Sequence, residues 1–168
     1  MIALWICRIL NPIKRREYEI TNGDKAPFFR LPSADGIEIA LQDLLSKKVV
    51  VYFYPKDNTP GCTIEAEEFS ALLEEFSAKN AIIVGISPDS PKCHKNFIDK
   101  KSLKVLLLSD SDKSVASSYG AYGTKMMYGK EVQGIIRSTF IINQNGLIEQ
   151  SFYNVRAKGH AQKVLESL

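Results

Sequence analysis

The run KVVVYFY at positions 48–54 constrains the fold of this chain more than any other part of its sequence. A continuous stretch of β-branched and aromatic residues is typical of a strand that is buried on both faces. A turn-rich loop at 55–61 follows it, and apolar residues with helical spacing begin after Thr63. We therefore predict a buried strand that leads through a loop directly into a helix.

Downstream of this unit, strand and helix patterns alternate. The predicted elements are strands at 81–86 and 104–108, a helix that opens at Pro91, a short helix at 114–119, a hairpin of 135–142 and 147–153, and a last helix at 158–168. This order predicts an α/β fold with a central mixed β-sheet flanked by helices, for which a thioredoxin-like core is the natural candidate.

Charge and cysteine content narrow the possible functions. The 22 Lys and Arg residues exceed the 19 Asp and Glu residues by three, and two of these net charges lie in residues 1–23. The rest has no basic block to meet a nucleic acid, and no apolar run approaches the ~20 residues of a membrane-spanning helix. Three cysteines without a Cys-x-x-C pair, and two histidines, argue against a structural zinc site. We expect a reduced intracellular protein without metal, nucleic-acid or membrane partners.

The first residues form a basic extension. In residues 1–16, MIALWICRILNPIKRR, the positive charges follow the apolar part, which is the wrong order for a secretory signal peptide. We interpret residues 1–22 as a poorly ordered extension, with Cys7 not catalytic, and residues 23–168 as one domain. A cytoplasmic location is expected; organellar targeting by residues 1–16 or a membrane-surface helix is the alternative.

Cys62 lies where the loop that leaves the buried strand enters the helix. The first N–H groups of a helix have no internal partner and carry partial positive charge, so this position favours a thiolate. Thr59, three residues earlier, is expected to place a hydroxyl beside the sulfur. A small buried hydrophobe in the first helical turn is the alternative interpretation.

Arg137 is a lone charge in the otherwise apolar predicted strand at 135–142. Because a buried charge is costly unless it is paired, its guanidinium is expected to face an anion, here the Cys62 thiolate. Glu65, one helical turn after Cys62, is placed to orient that guanidinium from behind. The alternatives are an edge-strand arginine that reaches solvent and a carboxylate that only favours the start of the helix.

At this point the chain resembles a known family. Pro55, Thr59 and Cys62 match the Pro-x-x-x-Thr-x-x-Cys motif of the peroxiredoxins, and Arg137 falls where the active-site arginine of that family is expected. The strings FYPKDNTPGCT, VGISPDSP, IIRSTFIIN and AKGHA resemble the bacterioferritin-comigratory or PrxQ-type subfamily over residues 23–168. The resemblance implies a thioredoxin fold and a thiol peroxidase, active in antioxidant defence, without metal, haem, flavin or other cofactor.

The resemblance also implies the chemistry. The Cys62 thiolate would attack hydrogen peroxide or a small organic hydroperoxide and become a sulfenic acid. Pro55 would shield the sulfur, while Thr59 and Arg137 would bind the peroxide oxygens. Thioredoxin or a glutathione-linked system would supply electrons to a protein expected to be a monomer, or at most a weak dimer.

The resolving cysteine is where the sequence departs from the subfamily. Many members carry it five residues after the peroxidatic cysteine, where this chain has Glu67, and others carry it nearer Ile98. Cys93 is the remaining candidate, and a disulfide with Cys62 would need Cα atoms within ~7 Å. Resolution by an external thiol is the alternative, and both stay open.

Two rival functions fit the same fold. A thiol–disulfide oxidoreductase is disfavoured because no Cys-x-x-C is present, and a non-enzymatic redox sensor would react once without turning over. A cysteine hydrolase built on Cys93 and His94 is disfavoured because helix neighbours point about 100° apart. We assign His160 to packing or a surface contact and Asp89 to turn chemistry. We assign residues 119–128 to packing, with the border of a substrate pocket as the alternative.

Overall fold

The computed structural model describes residues 19–168. Residues 1–18, which include Cys7, lie outside the described part, so their predicted roles stay predictions. Contacts with the domain already exist at Ile20. Its N–H donates to the Tyr153 hydroxyl at 2.9 Å, and its carbonyl accepts from the Ser151 hydroxyl at 2.6 Å.

The described residues form short strands and helices in alternation. The strands are β1 (Arg30–Pro32), β2 (Glu38–Ala40), β3 (Lys48–Phe53), β4 (Ala81–Ser87), β5 (Leu106–Ser109), β6 (Tyr122–Met127), β7 (Lys130–Ile135), β8 (Ser138–Ile142) and β9 (Ile148–Phe152). The helices are α1 (Pro60–Ala71), α2 (Leu73–Ala78), α3 (Pro91–Lys101), α4 (Ser114–Ser118) and α5 (His160–Glu166), with a 3₁₀ turn at Leu41–Leu44.

The central sheet has the order β5-β4-β3-β8-β9. Strands β3, β4 and β5 run parallel, whereas β8 is antiparallel to both β3 and β9, so the predicted mixed sheet is confirmed. Strand β3 lies at its centre, and five of its six residues are fully buried. The antiparallel register pairs Phe53 with Ser138, so Arg137 arrives beside the point where β3 ends and the loop begins.

The two faces of the sheet bury two separate cores, because successive strand side chains point to opposite faces. Val49, Val51 and Phe53 belong to the core under β1 and α4, and Val50 and Tyr52 belong to the core under α1, α2, α3 and α5. Within residues 19–168, no helix is both long and apolar enough to span a membrane.

The predicted single strand at 135–142 is wrong. Ile135 ends β7, Ser138 begins β8, and Arg137 lies in the two-residue link between them. The chain changes hydrogen-bond partners in this link. The Ile136 N–H donates to the Ala121 carbonyl at 2.7 Å, and the Arg137 carbonyl accepts from the Val155 N–H at 3.1 Å. The apolar run continues through the link because Ile135 and Ile136 are both buried, so hydrophobicity alone did not reveal the break.

The hairpin of β6 and β7 was not predicted either. It forms a separate two-stranded sheet in which Tyr122 pairs with Ile135. Its residues are mostly exposed or half-buried, and Met126, Met127 and Tyr128 at its tip are among the exposed large hydrophobic side chains. The packing predicted for residues 119–128 therefore holds for the buried Tyr119 but is wrong for 126–128. Such a hairpin lacks the buried apolar run that marks a central strand.

Candidate active site

The path from β3 to α1 places Cys62 at the start of the helix. Thr59 is the extended N-cap residue of α1, and Pro60, with its fixed φ, takes the first helical position. The first backbone bond into the helix runs from the Thr63 N–H to the Thr59 carbonyl at 2.9 Å. The N–H of Cys62 therefore precedes the helical ladder and has no partner within it. The cysteine itself is only 1% exposed.

Arg137 lies against this cysteine. Its Nη2 atom donates a hydrogen bond to Cys62 Sγ at 3.2 Å, across 75 residues of sequence. Gly61 leaves room for the contact, since a Cβ atom there would lie 3.3 Å from the same Nη2 atom. A guanidinium at this position can pair with a negative charge on the sulfur, which is the nucleophilic form of a cysteine.

Glu65 lies behind the guanidinium. Its Oε1 atom is 3.3 Å from Arg137 Nη1, in an ion pair that lacks hydrogen-bond alignment, and its side chain is fully buried. Burial raises the pKa of Glu65 to about 7, although the charge of Arg137 opposes the shift. Burial alone would lower the pKa of Arg137, but the negative charges of Glu65 and Cys62 outweigh it and raise that pKa.

The Thr59 hydroxyl is hydrogen-bonded within its own loop, and its predicted place beside the sulfur stays a prediction. Thr59 Oγ1 donates to the Lys56 carbonyl at 2.8 Å, and no hydrogen bond joins it to Cys62 Sγ in the described part of the chain. Because its own proton is engaged, this oxygen is left as an acceptor. Pro55 is half-buried at the beginning of the same loop.

A buried network that the sequence analysis missed holds the other side of the loop. The Tyr54 hydroxyl donates to Asp57 Oδ1 at 2.6 Å, and His94 Nδ1 lies 2.7 Å from Asp57 Oδ2. His94 Nε2 donates to the Leu108 carbonyl at 3.0 Å, and the Asp57 N–H donates to Asp89 Oδ2 at 2.8 Å. These bonds tie the loop to the start of α3 and to the end of β5.

A weak sequence signal for this network exists. His94 and Phe97 are three residues apart in α3, and they are the two buried residues of that helix. Three-residue spacing marks one helix face, so His94 belongs to the stripe that faces the core. A polar residue in such a stripe requires a buried partner, and Asp57 fills that role.

Cys93 and its neighbour His94 point in different directions, as predicted. Cys93 is exposed, and its N–H donates to the Ser90 hydroxyl at 3.2 Å in the first turn of α3. His94 is buried against Asp57, so the two side chains do not form a hydrolase pair. Within residues 19–168 both Cys62 and Cys93 are free thiols.

Two further basic side chains, His160 and Lys125, lie near Arg137. His160 is buried and hydrogen-bonded to Thr139 Oγ1 at 2.7 Å; burial, followed by the charges of Lys163 and Arg137, lowers its pKa to about 4. His160 therefore has the packing contact that the sequence predicted, and the surface contact, which was the other prediction, is wrong. Lys125 of β6 donates to the Ile135 carbonyl at 2.8 Å, and its pKa is lowered by burial and by Arg137.

Asp89 accepts bonds from the loop and from the Ser87 hydroxyl, in keeping with its predicted turn role. Among residues 19–168, no three His, Cys, Asp or Glu side chains are grouped so that they could hold a metal ion.

This chain is similar in sequence and in structure to known proteins of one family. The model of the AhpC/TSA family matches residues 22–151. A putative peroxiredoxin bcp of Helicobacter pylori is 66% identical over 146 residues, which cover 87% of this chain and 96% of that protein. Peroxiredoxin Bcp of Bacillus subtilis is 40% identical over 146 residues, 87% of this chain and 93% of that protein.

A solved structure of the Xanthomonas campestris bacterioferritin comigratory protein, studied for its alkyl peroxide reduction activity, superposes with a TM-score of 0.78 at 40% identity. It covers 83% of this chain and 88% of its own. The predicted thioredoxin-like fold is thereby confirmed.

Proposed function

The chain belongs to the AhpC/TSA family and is a peroxiredoxin, a thiol-dependent peroxidase, and from this premise we propose that Cys62 is its peroxidatic thiol. The observation that carries the proposal is the bond from Arg137 Nη2 to Cys62 Sγ at 3.2 Å. Peroxiredoxins reduce peroxides with electrons from thiol reductants such as thioredoxin, so the predicted antioxidant peroxidase is confirmed. The oxidoreductase and sensor alternatives are not favoured.

In the proposed reaction the Cys62 thiolate attacks one oxygen of a hydroperoxide. The S–O bond forms as the O–O bond breaks, the cysteine is oxidised to a sulfenic acid, and the leaving oxygen takes up a proton. The balance is Cys–S⁻ + ROOH + H⁺ → Cys–SOH + ROH. Substrates are proposed to be hydrogen peroxide and small organic hydroperoxides, in line with the alkyl peroxide activity of the X. campestris relative.

Three neighbours are assigned to this step. Thr59 Oγ1 donates its hydrogen bond to the Lys56 carbonyl, so its lone pairs are left to accept a hydrogen bond from the O–H of the incoming peroxide and orient it. Arg137 and the free N–H of Cys62 donate to the oxygens as negative charge moves between them. Pro55, which has no backbone N–H, shields the sulfur at the loop start.

Cys93 is proposed as the resolving thiol, because it is free, exposed and located in the first turn of α3, the helix that His94 ties to the loop. It would attack the sulfenic sulfur, form a disulfide and release water. Thioredoxin or a glutathione-linked system would then reduce the disulfide, or would reduce Cys62 directly in a one-cysteine cycle. We further propose a cytoplasmic monomer, with organellar targeting by residues 1–16 as the alternative.

Intact mass after one equivalent of hydrogen peroxide tests these assignments. Cys62→Ser should abolish peroxide consumption, whereas retained turnover would overturn the central assignment. The matched variant Cys93→Ser should still consume the first equivalent. A Cys62–Cys93 peptide from the wild-type digest supports internal resolution, and a trapped Cys62 sulfenic acid with Cys93 still alkylatable supports an external thiol.

A further inference from the structure

We propose that Glu65 stores a proton while Cys62 is a thiolate and gives it up when Cys62 is oxidised, so that Glu65 supplies the proton that peroxide reduction consumes. This inference rests on the proposed function of Cys62. Storage and release of a proton would be a second role for Glu65, in addition to orienting Arg137.

The surroundings of Glu65 disfavour its ionised form. The side chain is fully buried, and neither carboxyl oxygen accepts a well-aligned hydrogen bond from any residue between 19 and 168. Among residues 19–168, the cation paired with it is Arg137, whose Nη1 atom is 3.3 Å from Oε1. A buried carboxylate with a single, poorly aligned cation is costly, and its pKa of about 7 reflects this.

Cys62 and Glu65 share one guanidinium. Nη2 of Arg137 donates to the sulfur at 3.2 Å, and Nη1 faces the carboxyl group. While the sulfur is a thiolate, an ionised Glu65 would place two negative charges on one positive charge in a buried site. Each negative charge therefore disfavours the other, and Glu65 is held in its protonated form.

Oxidation removes one of the two competing charges. A sulfenic acid is neutral, so Glu65 is left as the sole counter-ion of Arg137 and its ionised form becomes more favourable. The coupled reaction is Glu65–COOH + Cys62–S⁻ + ROOH → Glu65–COO⁻ + Cys62–SOH + ROH. The S–O bond forms, the O–O bond breaks, and the proton lost by the carboxyl group balances the one gained by the leaving alkoxide.

The other charged and titratable groups around Glu65 are compatible with this role. Tyr52 of β3 has a pKa raised well above its usual value of 10.0 by burial and by the charges of Glu65 and Cys62, so its phenol stays neutral. His160 of α5, with a pKa of about 4, is also neutral near pH 7. The remaining groups are Arg137, Glu68 one turn along α1, and Lys125 of β6, which faces Arg137 and Cys62.

Proton uptake during a single turnover tests the proposal. Reduced full-length protein is mixed with about one equivalent of hydrogen peroxide in weak buffer containing a pH indicator, and the Cys62 sulfenic acid is quantified by trapping. At about pH 6 the wild type should take up far less than one proton per sulfenic acid, rising towards about one at pH 8, where Glu65 is already ionised.

Glu65→Gln should take up about one proton per sulfenic acid at both pH values. The matched control Glu67→Gln, which removes an exposed carboxyl from the same helix, should behave as the wild type. A wild-type uptake of about one proton at pH 6 would overturn the inference, and so would identical profiles for the wild type and Glu65→Gln. If Glu65→Gln does not fold, the thiolate absorbance of the reduced wild type is followed over the same pH range: uptake well below one proton at a pH where Cys62 is already a thiolate supports the inference, and uptake that only follows the thiolate fraction overturns it. A complete lack of sulfenic acid at Cys62 would instead overturn the proposed function.

Discussion

Two buried polar clusters flank the loop between β3 and α1, and they differ in how well their atoms are paired. In the Tyr54–Asp57–His94 cluster, both Asp57 oxygens, both His94 nitrogens and the Tyr54 hydroxyl have partners at 2.6–3.0 Å. In the cluster behind Cys62, both Glu65 oxygens, Arg137 Nη1 and the Tyr52 hydroxyl have no hydrogen-bond partner among the described residues.

The two clusters have different roles: one holds the loop in place, and the other affects the sulfur of Cys62. A fully paired buried network holds a single geometry, because every alternative leaves a group unpaired. A partly paired cluster destabilises the fold, because its buried polar groups lack partners. The charges of this cluster affect the reactivity of Cys62, because Arg137 donates a hydrogen bond to its sulfur. We expect substitutions in the Asp57 cluster to lower the free energy of unfolding, and substitutions in the Glu65 cluster to change reactivity or to remove a cost to the fold.

The largest stability effect is expected for Asp57→Ala. It leaves the imidazole of His94 and the hydroxyl of Tyr54 buried without their carboxylate, so the free energy of unfolding should fall by about 3–5 kcal/mol. Urea denaturation measures the loss. Glu149→Gln is the control, since it breaks an exposed ion pair with Lys48 at 3.0 Å, in which each side chain is about one third exposed, and should cost less than about 1 kcal/mol. Equal losses in the two variants would contradict the comparison.

Arg137→Ala should reduce the reaction with peroxide strongly and the free energy of unfolding only slightly. The rate constant for reaction with peroxide should fall by roughly 10²–10³-fold, since the donor that stabilises the displaced charge is lost. The free energy of unfolding should change much less than in Asp57→Ala, because Glu65 stays protonated without its cation. Stopped-flow peroxide consumption measures the rate constant. Arg156→Ala removes an exposed arginine and should leave it unchanged; a similar loss there would indicate a general charge effect.

Glu65→Gln should alter how stability depends on pH. The folded protein holds the Glu65 proton up to about pH 7, whereas the unfolded chain releases it near its ordinary pKa of 4.5. Raising the pH through this window therefore favours the unfolded state. Above it, the variant should be more stable than the wild type by about 1–3 kcal/mol, and below it the two should converge. Thermal unfolding across pH measures this, and a constant difference would contradict it.

The smallest effect comes from two neighbouring tyrosines. Tyr54→Phe removes a donor to Asp57 and should lower the free energy of unfolding by about 1–2 kcal/mol. Tyr52→Phe removes a buried hydroxyl that has no partner between residues 19 and 168, so it should be neutral or slightly stabilising. The two rings stack with centroids 5.5 Å apart, which makes the pair well matched for denaturation measurements.

The sequence predicted those parts of the molecule that local signals determine. The buried run at 48–54 gave the central strand, and Pro91 correctly marked the first residue of α3. The position of Cys62 at a helix start follows from the same local pattern. Arg137 was expected beside Cys62 from the cost of an unpaired buried charge, and the structure places it there although the strand assignment was wrong.

The remaining features depend on which distant segments meet. Asp57 and His94 are 37 residues apart, and neither one carries a local signal that names the other. The Thr59 hydroxyl turns to the carbonyl of Lys56 because the loop brings that acceptor close, which residue spacing does not reveal. The β6–β7 hairpin is mostly exposed, so burial did not impose a recognisable pattern on its sequence.

The 75 residues between Cys62 and Arg137 also have a consequence for biosynthesis. The thiol leaves the ribosome together with the parallel strands β3 and β4, long before the arginine, which arrives only with the antiparallel strand β8. Non-local strand pairing forms late, because a long loop must close first. The nascent chain therefore carries its thiol without the guanidinium, and we expect it to become reactive towards peroxides only after β8 has paired with β3 and brought Arg137 to the sulfur.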